Sequence, residues 1–197
     1  MTPDRKNRKA VNSIMSVHGL FLLFALAVSA AGCGARPFAE IQAGIEARGH
    51  YISGVPFVRQ TSEYCGPAAL AGVLTFHGRQ PDLAAITAAV YLPKLGGTLP
   101  MDLERYAKEA GFVTDAGPGT LDTIRRTIRS NTPVVCLLDL GFGPYRAPHY
   151  VTVIGFDDVN QLVIMHDGAD PDRTMVYEKF GKAWKRAGNW MIVVTAK

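Results

Sequence analysis

The stretch CGPAALAGVLTF, residues 65–76, constrains the fold more than any other part of the chain. Pro67 is compatible with a first helical turn, the following residues favour helix, and Gly78 supplies a stop, so the spacing predicts a helix from Cys65 to about Phe76. Ala68, Ala69, Leu70, Ala71, Gly72, Val73, Leu74 and Phe76 leave this helix no polar face. A helix that is apolar all round belongs inside a protein. Its Ala and Gly positions allow neighbouring elements to approach closely.

The rest of the chain divides into helices followed by strands. Residues 81–91 and 99–110 read as helices, with Pro81 and Pro100 in first-turn positions and Gly111 as a C-terminal stop, and residues 121–130 as a further helix. After Asn131 the character changes. PVVCLLDL, HYVTVIGFD, QLVIMHD, RTMVYE and NWMIVVTA are β-branched and aromatic runs separated by Gly, Asp, Asn and Pro, with a short helix expected over 180–187. This order predicts an α+β domain with a mainly antiparallel sheet. Upstream, YISGVPFVRQ is expected to be extended, because Pro56 biases its predecessor away from helix.

Residues 1–32 read as a secretion signal: Arg5, Lys6, Arg8 and Lys9 precede an apolar stretch that ends in Ala30, Ala31, Gly32 and Cys33. The end of this segment resembles the lipobox of bacterial lipoproteins, with Ala30 where that motif prefers Leu. The resemblance implies lipidation at Cys33. Gly34 lacks the Asp associated with inner-membrane retention, so the expected location is the periplasmic face of the outer membrane. A simply cleaved signal and an uncleaved anchor stay open. Residues 33–54 are expected to be a membrane-proximal helix or linker and 55–197 a single domain.

Most of the formal charge of +4 comes from the signal segment, and no Lys/Arg-rich run is interleaved with aromatics, so the sequence offers no footprint for nucleic acid. Beyond Cys33 there remain Cys65 and Cys136, too few for a disulfide scaffold. Cys136, inside VVCLLDL, reads as a small buried hydrophobe. A bridge between the two would consume a candidate nucleophile.

Cys65 carries that candidacy because a thiol at a helix N-terminus faces unpaired N–H groups and the positive end of the helix dipole, which favour the thiolate. Position alone leaves the inert thiol open. A thiolate nucleophile wants a His as acid and base and a third group to orient its ring. His149 opens one expected strand and Asp167 closes the next, and a three-residue loop over 157–159 would place them opposite one another. Gln60, on the extended lead-in, is placed to donate to a developing oxyanion together with the Cys65 N–H, or to bond nearby backbone. By alternation His166 faces away from Asp167 and reads as structural. His50 and His77 are isolated, and no metal-ligand spacing is present, so neither metal nor cofactor is expected. Asp170 and Asp172 read as turn residues, and Tyr177, Phe180, Trp184 and Trp190 as core or groove wall.

QTSEYCGPAAL, followed by HYVTVIGFD and HDGADP, resembles the double-glycine, bacteriocin-processing family of papain-like cysteine peptidases over about residues 55–197. The resemblance implies a papain-like α+β fold with Cys65 as nucleophile, His149 as base, Asp167 as orienting acid and Gln60 as oxyanion donor, acting on a peptide or protein. Exporters of that family carry membrane-spanning and ATP-binding parts. Here no phosphate-binding Gly-Lys-Ser/Thr loop or second hydrophobic span is seen, and a stand-alone exported relative is expected. A non-catalytic peptide-binding lipoprotein and a cell-wall amidase or transpeptidase are the alternatives.

Overall fold

The computed structural model describes residues 35–60 and 62–197. The expected signal segment and Cys33 lie outside the described residues. In chain order the elements are α1 (Phe38–Ile41), a 3-10 turn (Ile45–Ala47), β1 (Gly49–Tyr51), a 3-10 turn (Ser62–Tyr64), α2 (Cys65–Phe76), α3 (Leu83–Val90), β2 (Tyr91–Leu92), β3 (Gly97–Thr98), α4 (Pro100–Glu109), β4 (Val113–Pro118), α5 (Leu121–Arg129), β5 (Val134–Asp139), β6 (Pro148–Asp157), β7 (Leu162–His166), β8 (Arg173–Val176), α6 (Tyr177–Arg186) and β9 (Trp190–Thr195). The fold is α+β, with a large antiparallel sheet in the order β4-β9-β5-β6-β7-β8 and β1 paired to β6 off that path.

As its composition demands, α2 lies in the interior, with residues 65–74 all buried. One face of the sheet takes α2, α3 and α4, joining Leu70, Val73 and Leu74 to Ile86, Leu103, Val135, Tyr150 and Ile192. The opposite face packs Val134, Cys136 and Leu138 against Ile124 and Ile128 of α5 and Phe180 and Trp184 of α6. The split of 134, 136 and 138 from 135 follows the two-residue period of a strand covered on both sides. Close approach accounts for Gly72: a Cβ there would stand 2.8 Å from the Pro56 carbonyl oxygen, so the extended lead-in runs hard against the helix.

Three features differ from the sequence expectation. Residues 38–52 are not a linker. Ile41, Ile45 and Ile52 enter the core, and β1 pairs with residues 155–157 of β6, the stretch of that edge left free by β5, which pairs with residues 148–153. Arg48 locks this arm in place, its Nε 3.1 Å from Asp157 Oδ2 and its Nη2 donating to the Ile41 carbonyl at 2.7 Å. Secondly, the β6–β7 connection is longer than the three-residue loop expected. Asp157 pairs with Leu162, and an irregularity between Val153 and Gly155 sets Thr152 opposite His166, so His149 and Asp167 are not register partners. The buried Asp157 carboxylate holds this turn by accepting Asn160 N at 2.9 Å and Asn160 Nδ2 at 2.7 Å. Lastly, β4 and the small β2–β3 hairpin were not expected. Both lie in polar, Gly- and Pro-containing sequence whose strand character comes from pairing partners.

Candidate active site

Cys65 is the first residue of α2. Tyr64, at the N-cap, makes no side-chain cap, so the first-turn amides are left for other acceptors. The sulfur takes this role: it interacts with the Gly66 N–H and accepts the Tyr150 N–H at 3.4 Å. Burial pushes the thiol up, but hydrogen bonding to His149, the Tyr150 N–H, the charge of the imidazolium and the Gly66 N–H together leave it below the ordinary thiol value. His149 shifts the other way. Burial lowers it, yet the hydrogen bond and charge of Cys65 and the interaction with Asp167 hold the ring above the ordinary histidine value. Both shifts run in the direction that favours a thiolate at Cys65 and an imidazolium at His149.

His149 and Asp167 come together despite the register, through an atom that the sequence reading did not assign. The ring Nε2 lies 2.7 Å from the main-chain oxygen of Asp167. A carbonyl oxygen only accepts, so Nε2 carries the proton and Nδ1 is the nitrogen left for acid and base work. The Asp167 carboxylate is engaged elsewhere: Oδ1 accepts Ala169 N at 3.0 Å and Asp170 N at 2.8 Å, and Oδ2 is bonded by Arg173 Nη1. Burial raises this carboxyl, but the Asp170 N–H, the Arg173 guanidinium and the Ala169 N–H hold it below the usual carboxylate range. The carboxylate therefore builds the turn that presents the carbonyl.

Gln60 sits against the next residue. Its N–H donates to the Gly168 carbonyl at 3.1 Å, and its side-chain amide covers Gly168, where a Cβ would come 2.6 Å from Nε2. Gly168 has φ +86°, so both backbone conformation and space restrict this position to glycine. Among the described residues the buried Gln60 Oε1 has no hydrogen-bond partner.

His166 has the structural place expected of it. Nδ1 accepts the Asp172 N–H at 3.2 Å, which leaves Nε2–H to donate to the Val55 carbonyl at 3.0 Å. Cys136 is fully buried in β5 and pushed well above the ordinary thiol value by burial alone. His50 meets Glu46 at 2.7 Å. Among the described residues there is no group of three or more His, Cys, Asp or Glu that could hold a metal.

Several contributors had not been singled out from sequence. Tyr150 acts through its main chain, which no side-chain pattern reports. Asp139, at the end of β5, is a buried carboxylate that accepts Gly141 N at 3.0 Å and Ala147 N at 2.9 Å and pairs with Arg146 at 2.8 Å. Those N–H groups and the Arg146 charge, with Arg186 also contributing, outweigh burial and keep it below the usual carboxylate range. It pins the loop that leads into Pro148 and His149. The signal available in sequence was an Asp at the end of an otherwise apolar strand.

Residues 52–192 match the Peptidase_C39 like family. A C39-like peptidase from Bacillus anthracis superposes with a TM-score of 0.65 at 19% identity, covering 76% of this chain and 98% of its own. A double glycine motif protease from an AMS/PCAT transporter, solved in complex with the leader peptide, gives 0.60 at 16% identity over 75% of this chain and 95% of its own. Xylellain, a cysteine protease from Xylella fastidiosa, gives 0.54 at 11% identity over 79% and 89%. Among curated proteins no match is found. With the papain-like fold in place and the family match covering most of the domain, the chain belongs to the Peptidase_C39 like family.

Proposed function

We propose that the protein is a cysteine peptidase in which Cys65 attacks a peptide carbonyl as the thiolate. The observation that carries this reading is Cys65 at the N-terminus of α2, its sulfur accepting the Tyr150 N–H at 3.4 Å, together with a His149 ring anchored at 2.7 Å on the Asp167 main chain. In the first half-reaction the sulfur bonds to the carbonyl carbon, the C–N bond breaks, and His149 Nδ1 gives its proton to the leaving amine. Water, deprotonated at the same nitrogen, then cleaves the acyl-enzyme and returns the free thiolate. Gln60 and the Cys65 N–H are assigned to the oxyanion, and Asp167 to orienting His149 through its carbonyl.

The substrate is a peptide or protein. Leader-peptide binding by the AMS/PCAT protease is consistent with this class and does not supply the sequence recognised here. Export and lipid attachment at Cys33 complete the proposal, with the envelope as the site of action. Incubation with a thiol-directed probe at neutral pH, followed by peptide mapping, tests the chemistry: Cys65 should be labelled and Cys65→Ala should turn over no peptide. An unreactive Cys65 in reduced protein favours the binding-module alternative. Cleavage of peptidoglycan fragments in preference to linear peptides favours the amidase or transpeptidase. Lipid attachment is checked by metabolic labelling with palmitate, which Cys33→Ser should abolish.

A further inference from the structure

A cavity of about 240 Å³ opens beside the nucleophile, with Cys65 itself among its walls. Its walls include Leu95, Leu99 and Pro100 together with Leu137, Pro148 and Tyr150. The β2–β3 hairpin is fixed as a wall, because Tyr150 Oη donates to the Thr98 carbonyl at 3.1 Å and a Cβ on Gly66 would stand 3.0 Å from Thr98 Cβ. A dry apolar cavity of about 150 Å³ suffices to hold benzene, so this one has room for a Leu or Phe side chain. Its wall is apolar out to solvent, since Leu95 is 57% exposed.

Pro148 and Tyr150 line the cavity while His149, between them on β6, alternates away from it. The leaving amine departs where the imidazole can protonate it. The cavity, walled by the sulfur and not by the imidazole, therefore belongs to the part of the substrate that stays on the sulfur.

We infer that this cavity is a specificity subsite for a bulky apolar side chain in one of the two residues preceding the scissile bond, so that the substrates are apolar at that point and not Gly-Gly. The inference rests on the peptidase reading for its catalytic meaning, but the binding preference can be measured without turnover. In a peptide library cleaved by the wild-type protein and read by mass spectrometry, Leu, Met or Phe should be enriched by about tenfold or more over Gly at one of those two positions, the discrimination an apolar pocket supplies. Matched peptides with Gly-Gly, Leu-Gly, Gly-Leu and Phe-Gly, titrated into Cys65→Ala protein by calorimetry, should bind about tenfold more tightly when one of them fills the cavity. Gly97 lines the cavity, and a Cβ there meets nothing within 4 Å. Gly97→Phe, introduced into the Cys65→Ala background, should bring the binding of the Leu and Phe peptides down to that of the Gly-Gly peptide.

Enrichment of Gly-Gly in the library, or equal binding of all four peptides, overturns the inference, and the first of these leaves the peptidase reading standing. Selective binding of apolar peptides with no cleavage of any library member supports the subsite and removes the peptidase reading.

Discussion

The two described cysteines are both buried, Cys65 being 6% and Cys136 0% exposed, yet their thiols shift in opposite directions. Cys136 lies in the middle of β5 with apolar neighbours on every side, and burial alone pushes its thiol up. Cys65 suffers the same burial but has two N–H groups and an imidazole at its sulfur, and its thiol moves down. Desolvation is therefore common to both, and only the polar partners decide which thiol can react.

The largest expected effect is in reactivity. On native protein at pH 7, iodoacetamide should modify Cys65 and leave Cys136 untouched, while the denatured chain should show both modified. Cys65→Ala should reduce peptide turnover by a factor on the order of 10⁶, the loss expected when a catalytic nucleophile is removed. Cys136→Ala should leave turnover within about twofold of wild type, since it is a surface-remote change in packing and not in chemistry. Equal labelling of the two native thiols would abolish the distinction.

The second test removes the partner that separates the thiols. His149→Gln takes away the imidazolium, so the pH at which Cys65 labels should rise toward the ordinary thiol value of about 8.5, and turnover should fall by about 10²–10⁴-fold with loss of the acid and base. In the wild type the direction is fixed by the two shifts. The Cys65 value is depressed, so its ionised form is lost as pH falls through that lowered value; the His149 value is raised, so its charged form is lost as pH rises through it. The profile of kcat/KM should be a bell between those limits. In His149→Gln the acid limb of labelling should move upward; an unmoved limb would show that the imidazole does not set the thiol.

The third test addresses which oxygen of Asp167 holds the ring. Where a carboxylate itself orients the imidazole, Asp→Asn costs about 10⁴-fold in kcat. Here the carbonyl makes that bond, and an Asn side chain retains an oxygen for the Ala169 and Asp170 N–H groups. Asp167→Asn should therefore lose about tenfold or less, with KM little changed. Its larger effect is on stability. The depressed Asp167 value contributes stabilisation that is present above the unfolded carboxyl value of about 3.9 and is lost as pH falls through the lower folded one, and the Asn variant should lack that acid-side decline. A loss near 10⁴ in Asp167→Asn would assign the carboxylate to the ring.

These results divide cleanly into what residue patterns can carry and what they cannot. The helix at Cys65–Phe76 was legible to the residue because a run without a polar face has one place to go. The β6–β7 register was not, because LVIMH is buried on both faces and offers no alternation to fix a partner. Ile41 and Ile45 lie in elements too short to display a period, and Ile52 directly follows a three-residue strand, which is why their segment read as a helix or linker. At the site, residue types and order nominated Cys65, His149, Asp167 and Gln60 as candidates, and the structure sets His149 against the Asp167 main chain and Gln60 against Gly168. The bonds made by main-chain atoms, Tyr150 N–H to sulfur and Asp167 C=O to imidazole, leave no trace in side-chain identity.

The smallest expected effect returns to the two thiols with one substitution applied to both. Cys→Ser keeps the shape nearly constant and exchanges a weakly polar atom for a strongly polar one. At position 136 the hydroxyl enters an apolar layer with no side-chain partner among Val134, Leu138, Val151 and Met191, and burying it there costs about 1–3 kcal/mol. For a domain of this size each kcal/mol lowers Tm by roughly 2–4 °C. At position 65 the hydroxyl meets the Tyr150 N–H and His149, so the same change should leave Tm nearly where it was while turnover collapses, since a hydroxyl does not ionise as the thiol does. Thermal unfolding and peptide cleavage measured on both variants should thus give opposite pairs: lowered Tm with retained activity for Cys136→Ser, retained Tm with lost activity for Cys65→Ser. A fall in Tm at position 65 as large as that at 136 would mean that the polar partners around Cys65 do not accept a hydroxyl, and that its pocket is apolar in the same sense as the strand interior.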